Sequence, residues 1–138
     1  MVAREVLQTR LNALEDYLAK LRAFKTYSKN DFIKNDALHD LAERYLHLLS
    51  ECIIDIGNHI VADKNLGSPG SYREIFQILN DHDFIDEKLS QKLQEWTGYR
   101  NILVHGYLKI DHEVAYEAIQ EDFEDIESFK NIAQSLIK

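Results

Sequence analysis

Three side chains of different chemistry lie within eight residues of one another: the guanidinium of Arg100, the imidazole of His105 and the phenol of Tyr107. No other segment of the chain concentrates as much chemistry. Glycine commonly ends a helix because it adopts left-handed dihedrals without steric cost, so the helix is predicted to end at Gly106. A histidine near the C-terminal carbonyls of a helix is protonated more readily than a free one. The segment is therefore typical of an acid–base residue beside a fixed cation at an accessible helix end.

A purely structural interpretation of the same segment stays open. In it, Arg100 pairs with a surface carboxylate, His105 caps the helix and Tyr107 packs against neighbouring helices. Positions 100 and 105 are about 140° apart around an ideal helix. Cooperation between them therefore requires either that the helix unwinds before Gly106 or that a dimer axis brings two copies of the segment together.

Two further pairs of residues are candidates for a functional role. Asp55 and His59 are four apart and share one helical face, so Asp55 either orients His105 or Arg100 or forms a local pair on a solvated helix. Asp36-x-x-His39 resembles half of a carboxylate–imidazole metal site, but a di-metal site in a helical bundle needs two such pairs and further carboxylates. We therefore predict no metal.

The composition sets limits on fold and partners. The 138 residues are most simply one domain, 1–138, with 45% hydrophobic and 29% charged residues. A net charge of -8 argues against a non-specific nucleic-acid coat, so any RNA chemistry must come from a local site. No apolar run is long enough to span a bilayer and the N-terminus has no apolar core of a signal peptide, which predicts a cytoplasmic protein without membrane contact. The lone Cys52 is expected to be a small buried hydrophobe.

Hydrophobic periodicity predicts helices throughout the chain. Spacings of three and four predict a first helix over about 3–26, and its apolar stripe is Leu7, Leu11, Leu14, Leu18 and Leu21. A second, very long helix runs from the break at 28–31 to about Ala62. The loop 63–70 precedes a capping box, Ser71 to Glu74, which begins a short helix through Leu79.

The rest of the chain completes the predicted bundle. A fourth helix begins at about Asp86 and enters the motif, and Asp111 is the predicted N-cap of a single final helix with Val114 and Ile119 on its inner side. Four longer helices and one short one with brief connections predict an all-α, up-and-down four-helix bundle with an additional short helix.

The pattern Arg100-x4-His105-x-Tyr107, with Asn101 after the arginine, resembles the signature of the HEPN superfamily and specifically of its HepT-like branch. The context is similar too, because the motif comes late in a short helical chain, after a long second helix that carries Glu43-Arg44 and the run 53–59. The resemblance covers nearly the whole chain.

This resemblance implies a homodimeric, metal-independent endoribonuclease that is the toxin of a type VII-like toxin–antitoxin pair and cleaves tRNA or mRNA without a cofactor. Its expected partner is a minimal nucleotidyltransferase antitoxin of the MntA type, which silences the toxin by transferring AMP to the motif tyrosine. Carried over to this chain, Arg100 and His105 are catalytic, Asn101 is supporting and Tyr107 accepts AMP.

The residue types agree with these implied roles. RNA supplies its own nucleophile, the 2′-hydroxyl, so cleavage needs a proton-transfer group, as His105 is, and a cation for the charged phosphorane, as Arg100 is. Two other functions stay open: a non-catalytic helical subunit that partners a minimal nucleotidyltransferase, and an oligomeric helical scaffold without a site. The intact motif favours the enzyme.

Overall fold

The structure is a computed structural model that describes residues 2–105, 111–121 and 123–137, with side chains from residue 4 to 103 and throughout the two later ranges. Seven α-helices and one 3₁₀ turn, and no β-strand, occur within these ranges. The helices are α1 (Val2–Arg22), α2 (Lys29–Lys34), α3 (Asp36–Asp63), α4 (Tyr72–Asp81), α5 (Glu87–His105), α6 (His112–Gln120) and α7 (Glu124–Ser135), and the 3₁₀ turn is Ala23–Thr26. None of the helices found in these ranges is long and apolar enough to cross a membrane.

The long helix α3 is the centre of the bundle. It packs against α1 along one side and against α4 and α5 along others. Helices α6 and α7 also contact α3. The predicted leucine stripe of α1 is buried, as are Leu46, Leu49, Ile53, Ile56 and Ile60 of α3. The predicted all-α helical bundle is therefore confirmed.

The predicted second helix is divided at Asn35. The backbone of Asn35 is extended, at φ -101° and ψ 102°. The side-chain oxygen of Asn35 accepts a hydrogen bond from the backbone N–H of Leu38. Ser28 caps the preceding helix α2 in the same way, through the N–H of Asp31. The cap at Ser28 falls within the predicted break, whereas the cap at Asn35 interrupts what the apolar spacing alone predicts as one helix.

The predicted final helix is also two helices. Asp111 is an N-cap, as predicted, and accepts from the N–H of Glu113, but α6 ends where Glu121 turns extended, at ψ 151°. The prediction that Val114 faces inward is wrong, because its side chain is 45% exposed. Positions 114 and 119 are about 140° apart on a helix, so only one of them can face the core, and the buried pair is Ala115 with Ile119.

The capping box before α4 is confirmed in its serine half. The Ser71 hydroxyl accepts from the N–H of Glu74 at 3.2 Å. The Glu74 carboxylate, however, accepts from the N–H of Gly70 at 3.0 Å instead of from that of Ser71. This arrangement fixes the start of α4, where Tyr72 lies beside the motif helix α5.

Candidate functional site

The guanidinium of Arg100 is held in place by three neighbours. Its Nε donates to Oε1 of Glu51 on α3 at 2.5 Å, and its Nη1 donates to Oδ1 of Asn101 at 3.2 Å. Its Cζ lies 5.1 Å from the centre of the Tyr72 ring, within the range of a cation–π contact. The Arg100 side chain is only 17% exposed, so its orientation is fixed by these contacts and not by solvent.

Glu51 belongs to a row of polar side chains on one face of α3. Arg44, His47 and Glu51 follow at spacings of three and four. Nη1 of Arg44 is 3.1 Å from Nδ1 of His47, and Nε2 of His47 is 3.4 Å from Oε1 of Glu51. A guanidinium has no acceptor, so Nδ1 of His47 accepts and its Nε2 carries the hydrogen. The Glu51 carboxylate therefore accepts a hydrogen bond from α5 and lies within ion-pair distance of His47 on α3.

The local charge at this site differs from that of the whole protein. Among the described side chains joined by these contacts, the guanidinium groups of Arg44 and Arg100 are permanent cations and Glu51 supplies the carboxylate. The protein as a whole carries a net charge of -8. This agrees with the inference from composition that any attraction for phosphate must be local.

The other motif residues are described only in part. The backbone of α5 is helical through both position 100 and position 105, so no unwinding separates them. The two positions therefore stay about 140° apart around α5. The side chain of His105 and all of Tyr107 lie outside the described residues.

Asp55 has a different neighbour from those that the sequence suggests. Its Oδ2 accepts from Nε of Arg10 on α1 at 3.2 Å, and the two side chains are 50% and 40% exposed. Asp55 lies one turn along α3 from Glu51. Within the described side chains, Glu51 and not Asp55 is the carboxylate that contacts Arg100.

Cys52 is buried, as predicted, and only 8% exposed. Burial, together with the neighbouring Asp55 carboxylate, raises the pKa of its thiol to about 11. The thiolate is the reactive form of cysteine. Cys52 is therefore part of the core and not a nucleophile of this site.

Comparison with known proteins identifies the family of this chain. The family model described as Ribonuclease HepT-like matches residues 14–132. The chain belongs to this family. The predicted membership of the HepT-like branch is thus confirmed, and so, at the level of the family, is the prediction that the chain is a ribonuclease.

Curated relatives of this HepT-like chain carry nuclease names. The mRNA nuclease HepT of Shewanella oneidensis is 32% identical over 115 residues, 83% of this chain and 86% of that protein. The tRNA nuclease HepT of Aphanizomenon flos-aquae is 30% identical over 114 residues, 83% of this chain and 78% of that protein.

Solved structures show the same fold. The tri-AMPylated HEPN toxin of Shewanella oneidensis, in complex with its MNT antitoxin, superposes with a TM-score of 0.85 at 26% identity, over 94% of this chain and 97% of that one. The cytosolic protein YutE of Bacillus subtilis superposes with a TM-score of 0.83 at 29% identity, over 96% of this chain and 88% of that one.

Glu51 and His47 of this HepT-like chain are site residues that the sequence did not predict. Glu51 is 49 positions before Arg100, and no spacing rule links them. The available signal was local, because His47 and Glu51 are polar, four positions apart and set among apolar residues of α3. This spacing indicates a polar patch on one face of α3 but does not indicate that Arg100 contacts it.

Proposed function

We propose that this HepT-like chain is a metal-independent endoribonuclease toxin, that Arg100 and His105 perform the cleavage with Asn101 in support, and that an MntA-type nucleotidyltransferase antitoxin neutralises it by AMPylating Tyr107. The single observation that carries this proposal is the anchored guanidinium of Arg100, held by Glu51 through Nε and by Asn101 through Nη1.

The anchoring leaves one edge of the guanidinium for a ligand. Nη2 of Arg100 has no hydrogen-bond partner among the side chains that the structure describes. A guanidinium that is fixed by a carboxylate on one edge presents its remaining N–H groups in a set direction, and this suits a phosphate oxygen. Such preorganised charge contributes most where negative charge develops in the transition state, here on the phosphorane oxygens.

The proposed reaction is an internal transesterification. His105 takes the proton of the ribose 2′-hydroxyl, the 2′-oxygen attacks the adjacent phosphorus, and the bond from phosphorus to the 5′-oxygen breaks. The protonated His105 then gives this proton to the departing 5′-oxygen, and the other product ends in a 2′,3′-cyclic phosphate. Arg100 stabilises the extra negative charge in between. No step requires an ion as Lewis acid.

A homodimer supplies the geometry that one chain lacks. Since positions 100 and 105 lie about 140° apart on a continuous helix, one α5 cannot easily direct both side chains at one phosphate. Two copies of α5 across a two-fold axis can offer Arg100 from one chain and His105 from the other. We therefore propose composite sites, two for each dimer.

The relatives support the partner. The HEPN toxin of Shewanella oneidensis is described as tri-AMPylated and in complex with its MNT antitoxin, and the mRNA and tRNA nucleases named HepT support an RNA substrate. The relative YutE is described as cytosolic, which supports a cytoplasmic location for this chain.

The first test is cleavage of labelled single-stranded RNA and tRNA by the purified protein in EDTA. We expect cutting with a 2′,3′-cyclic phosphate product, and its loss in Arg100→Ala and in His105→Ala. Cutting that persists in both variants would remove the site assignment, and cutting that stops in EDTA would remove metal independence. Binding of the nucleotidyltransferase without any cutting would favour the alternative of a non-catalytic subunit.

The second test is complementation between the two inactive variants. In a mixed dimer of Arg100→Ala with His105→Ala chains, composite sites leave one site with both substitutions and the other with none. We expect the mixed dimer to regain about half of the wild-type activity. If each site instead lies within one chain, every site carries one substitution and the mixture stays inactive.

The third test concerns the tyrosine. Co-expression with the nucleotidyltransferase and intact-mass measurement should show AMP additions that map to Tyr107. A Tyr107→Phe variant should stay unmodified and toxic. Additions that persist in this variant would move the modification to another residue.

A further inference from the structure

A second cluster of side chains with chemistry lies away from the Arg100 site. His39 and Glu43 are one turn apart near the start of α3, and His112 is the first residue of α6. One nitrogen of each imidazole and one carboxylate oxygen of Glu43 lie within 4.8 Å of one another. Oε2 of Glu43 is 2.5 Å from Nδ1 of His112, and the two imidazole rings stack with their centres 3.6 Å apart. The cluster joins residues that are up to 73 positions apart in the chain.

The cluster is buried, which distinguishes it from ordinary surface acidic groups. The side chains of His39 and Glu43 are 5% and 7% exposed, and that of His112 is 34% exposed. A glutamate almost never lies this deep unless it is paired. A metal ion could enter past the partly exposed His112, while the buried His39 and Glu43 exclude bulk water.

One buried nitrogen of His39 makes no hydrogen bond in the described part of the chain. Its Nε2 is 3.2 Å from Oδ1 of Asp36, a hydrogen-bond contact. Its Nδ1 is buried and makes no hydrogen bond with any described group. Oδ1 of Asp40 is 2.9 Å from this nitrogen without forming a hydrogen bond, so the nitrogen has an acidic oxygen and no donor beside it. An imidazole with one nitrogen on a carboxylate and the other open has the usual arrangement of a metal ligand.

We propose that His39, Glu43 and His112 bind one Zn²⁺ ion per chain, with Asp36 orienting His39 and a water completing the coordination. Two imidazoles and one carboxylate are a donor set that Zn²⁺ takes with a fourth position open. Mg²⁺ prefers oxygen ligands, so two imidazoles disfavour it. Zinc–ligand bonds of about 2.0–2.1 Å place neighbouring ligand atoms roughly 3.3 Å apart. To admit the ion, the carboxylate of Glu43 and the ring of His112 need to separate by less than 1 Å from their present 2.5 Å contact. The two stacked imidazole rings, now 24° from parallel, also need to rotate so that one nitrogen of each points at the ion.

The sequence did not predict this site because it shows only half of it. Asp36-x-x-His39 is one carboxylate–imidazole pair, and the second imidazole comes from α6, 69 positions after Glu43. Bound zinc would cross-link α3 to the start of α6, five residues after Tyr107 in the chain. The proposed site is structural and separate from the cleavage chemistry, so its failure and that of the nuclease proposal are distinguishable.

The experiment measures binding of Zn²⁺ to the full-length protein after EDTA treatment and buffer exchange, by competition with a chromophoric chelator. We expect one equivalent per chain and a rise in Tm of about 5–15 °C when free Zn²⁺ exceeds its Kd a hundredfold. His112→Ala should weaken binding by more than the ~10- to 100-fold that loss of an outer-shell partner costs. Asp36→Asn should weaken it by less than that range, because the Asp36 side chain is 92% exposed and water replaces its hydrogen bond. Mg²⁺ should leave Tm unchanged.

Control variants separate this site from adventitious binding. His82→Ala removes an exposed imidazole that only caps α4, and it should bind Zn²⁺ like the wild type. Glu43→Gln tests the buried ligand, with circular dichroism as a check on folding, while His112→Ala removes the partly exposed one and keeps the proposal testable if Glu43→Gln misfolds. Absence of saturable binding in the wild type, or equal binding by His112→Ala and the wild type, overturns the proposal and leaves a buried ion-pair network.

Discussion

Glu51 offers the sharpest test of how the site works, because it contacts Arg100 without belonging to the motif. Its Oε1 accepts from Nε of Arg100 at 2.5 Å, and the two side chains are 34% and 17% exposed. We expect Glu51 to be a positioning residue that fixes the guanidinium for the phosphate. Glu51→Gln keeps one oxygen acceptor at nearly the same size, removes the charge and replaces the second oxygen by an NH2 group.

The magnitude follows from the hydrogen bond that changes. A hydrogen bond to a charged group contributes about 1.5–3 kcal/mol, and a neutral one about 0.5–1.5 kcal/mol. The Gln variant thus loses roughly 1 kcal/mol of positioning and the Ala variant roughly 2 kcal/mol, with some discount for the exposed part of the pair. At 1.36 kcal/mol for each tenfold, kcat should fall about 5-fold in Glu51→Gln and about 30-fold in Glu51→Ala. KM should not rise, since removal of a carboxylate strengthens the local attraction for phosphate.

The assay is the initial rate of RNA cleavage over a range of substrate concentrations, which separates kcat from KM. Glu127→Gln is the matched control, because Glu127 is 31% exposed and also pairs with an arginine, Arg22, at 3.0 Å. In an Arg100→Lys background, Glu51→Gln should have a smaller effect on kcat, because lysine lacks the guanidinium Nε–H that donates to Glu51. A Glu51→Gln enzyme with wild-type kcat, or an equal loss in Glu127→Gln, refutes the reasoning.

Three other predictions follow from described contacts. Asp55→Asn loses an exposed pair with α1, so Tm should fall by no more than about 3 °C and kcat should stay within about threefold; a loss of tenfold or more would return Asp55 to the supporting role that the sequence suggested. Gly57→Ala puts a Cβ 2.8 Å from Cγ2 of Ile75 and should cost about 1–3 kcal/mol in urea unfolding. Gly98→Ala has open space among the described atoms around its added Cβ and should be stabilising by about 0.4–1 kcal/mol. If Gly98→Ala lowers the free energy of unfolding more than Gly57→Ala does, the packing described here is contradicted. At pH 8, a Cys52 pKa of about 11 instead of 9.0 leaves ~100-fold less thiolate, so alkylation should be slow until the protein unfolds, and fast labelling of native protein would show an open core.

Helix boundaries show where sequence patterns are reliable. The leucine stripe of α1 and the caps at Ser71 and Asp111 are local features, and the structure has them as predicted. The breaks at Asn35 and after α6 were missed, because apolar spacing continues across each of them. A cap is a competition between a side chain and the helix for the same backbone N–H groups, and spacing does not record its outcome.

The amino-acid sequence by itself determined the helical class, the buried leucine stripe of α1 and the motif with its adjacent Asn101, because all of these depend on residues within a few turns of one another. The tertiary structure alone decided which carboxylate reaches Arg100, why Asp55 faces α1, and that His39, Glu43 and His112 meet. These contacts join positions between 45 and 73 residues apart. No periodicity encodes such pairs, because they depend on how rigid helices cross and not on the spacing within any one of them.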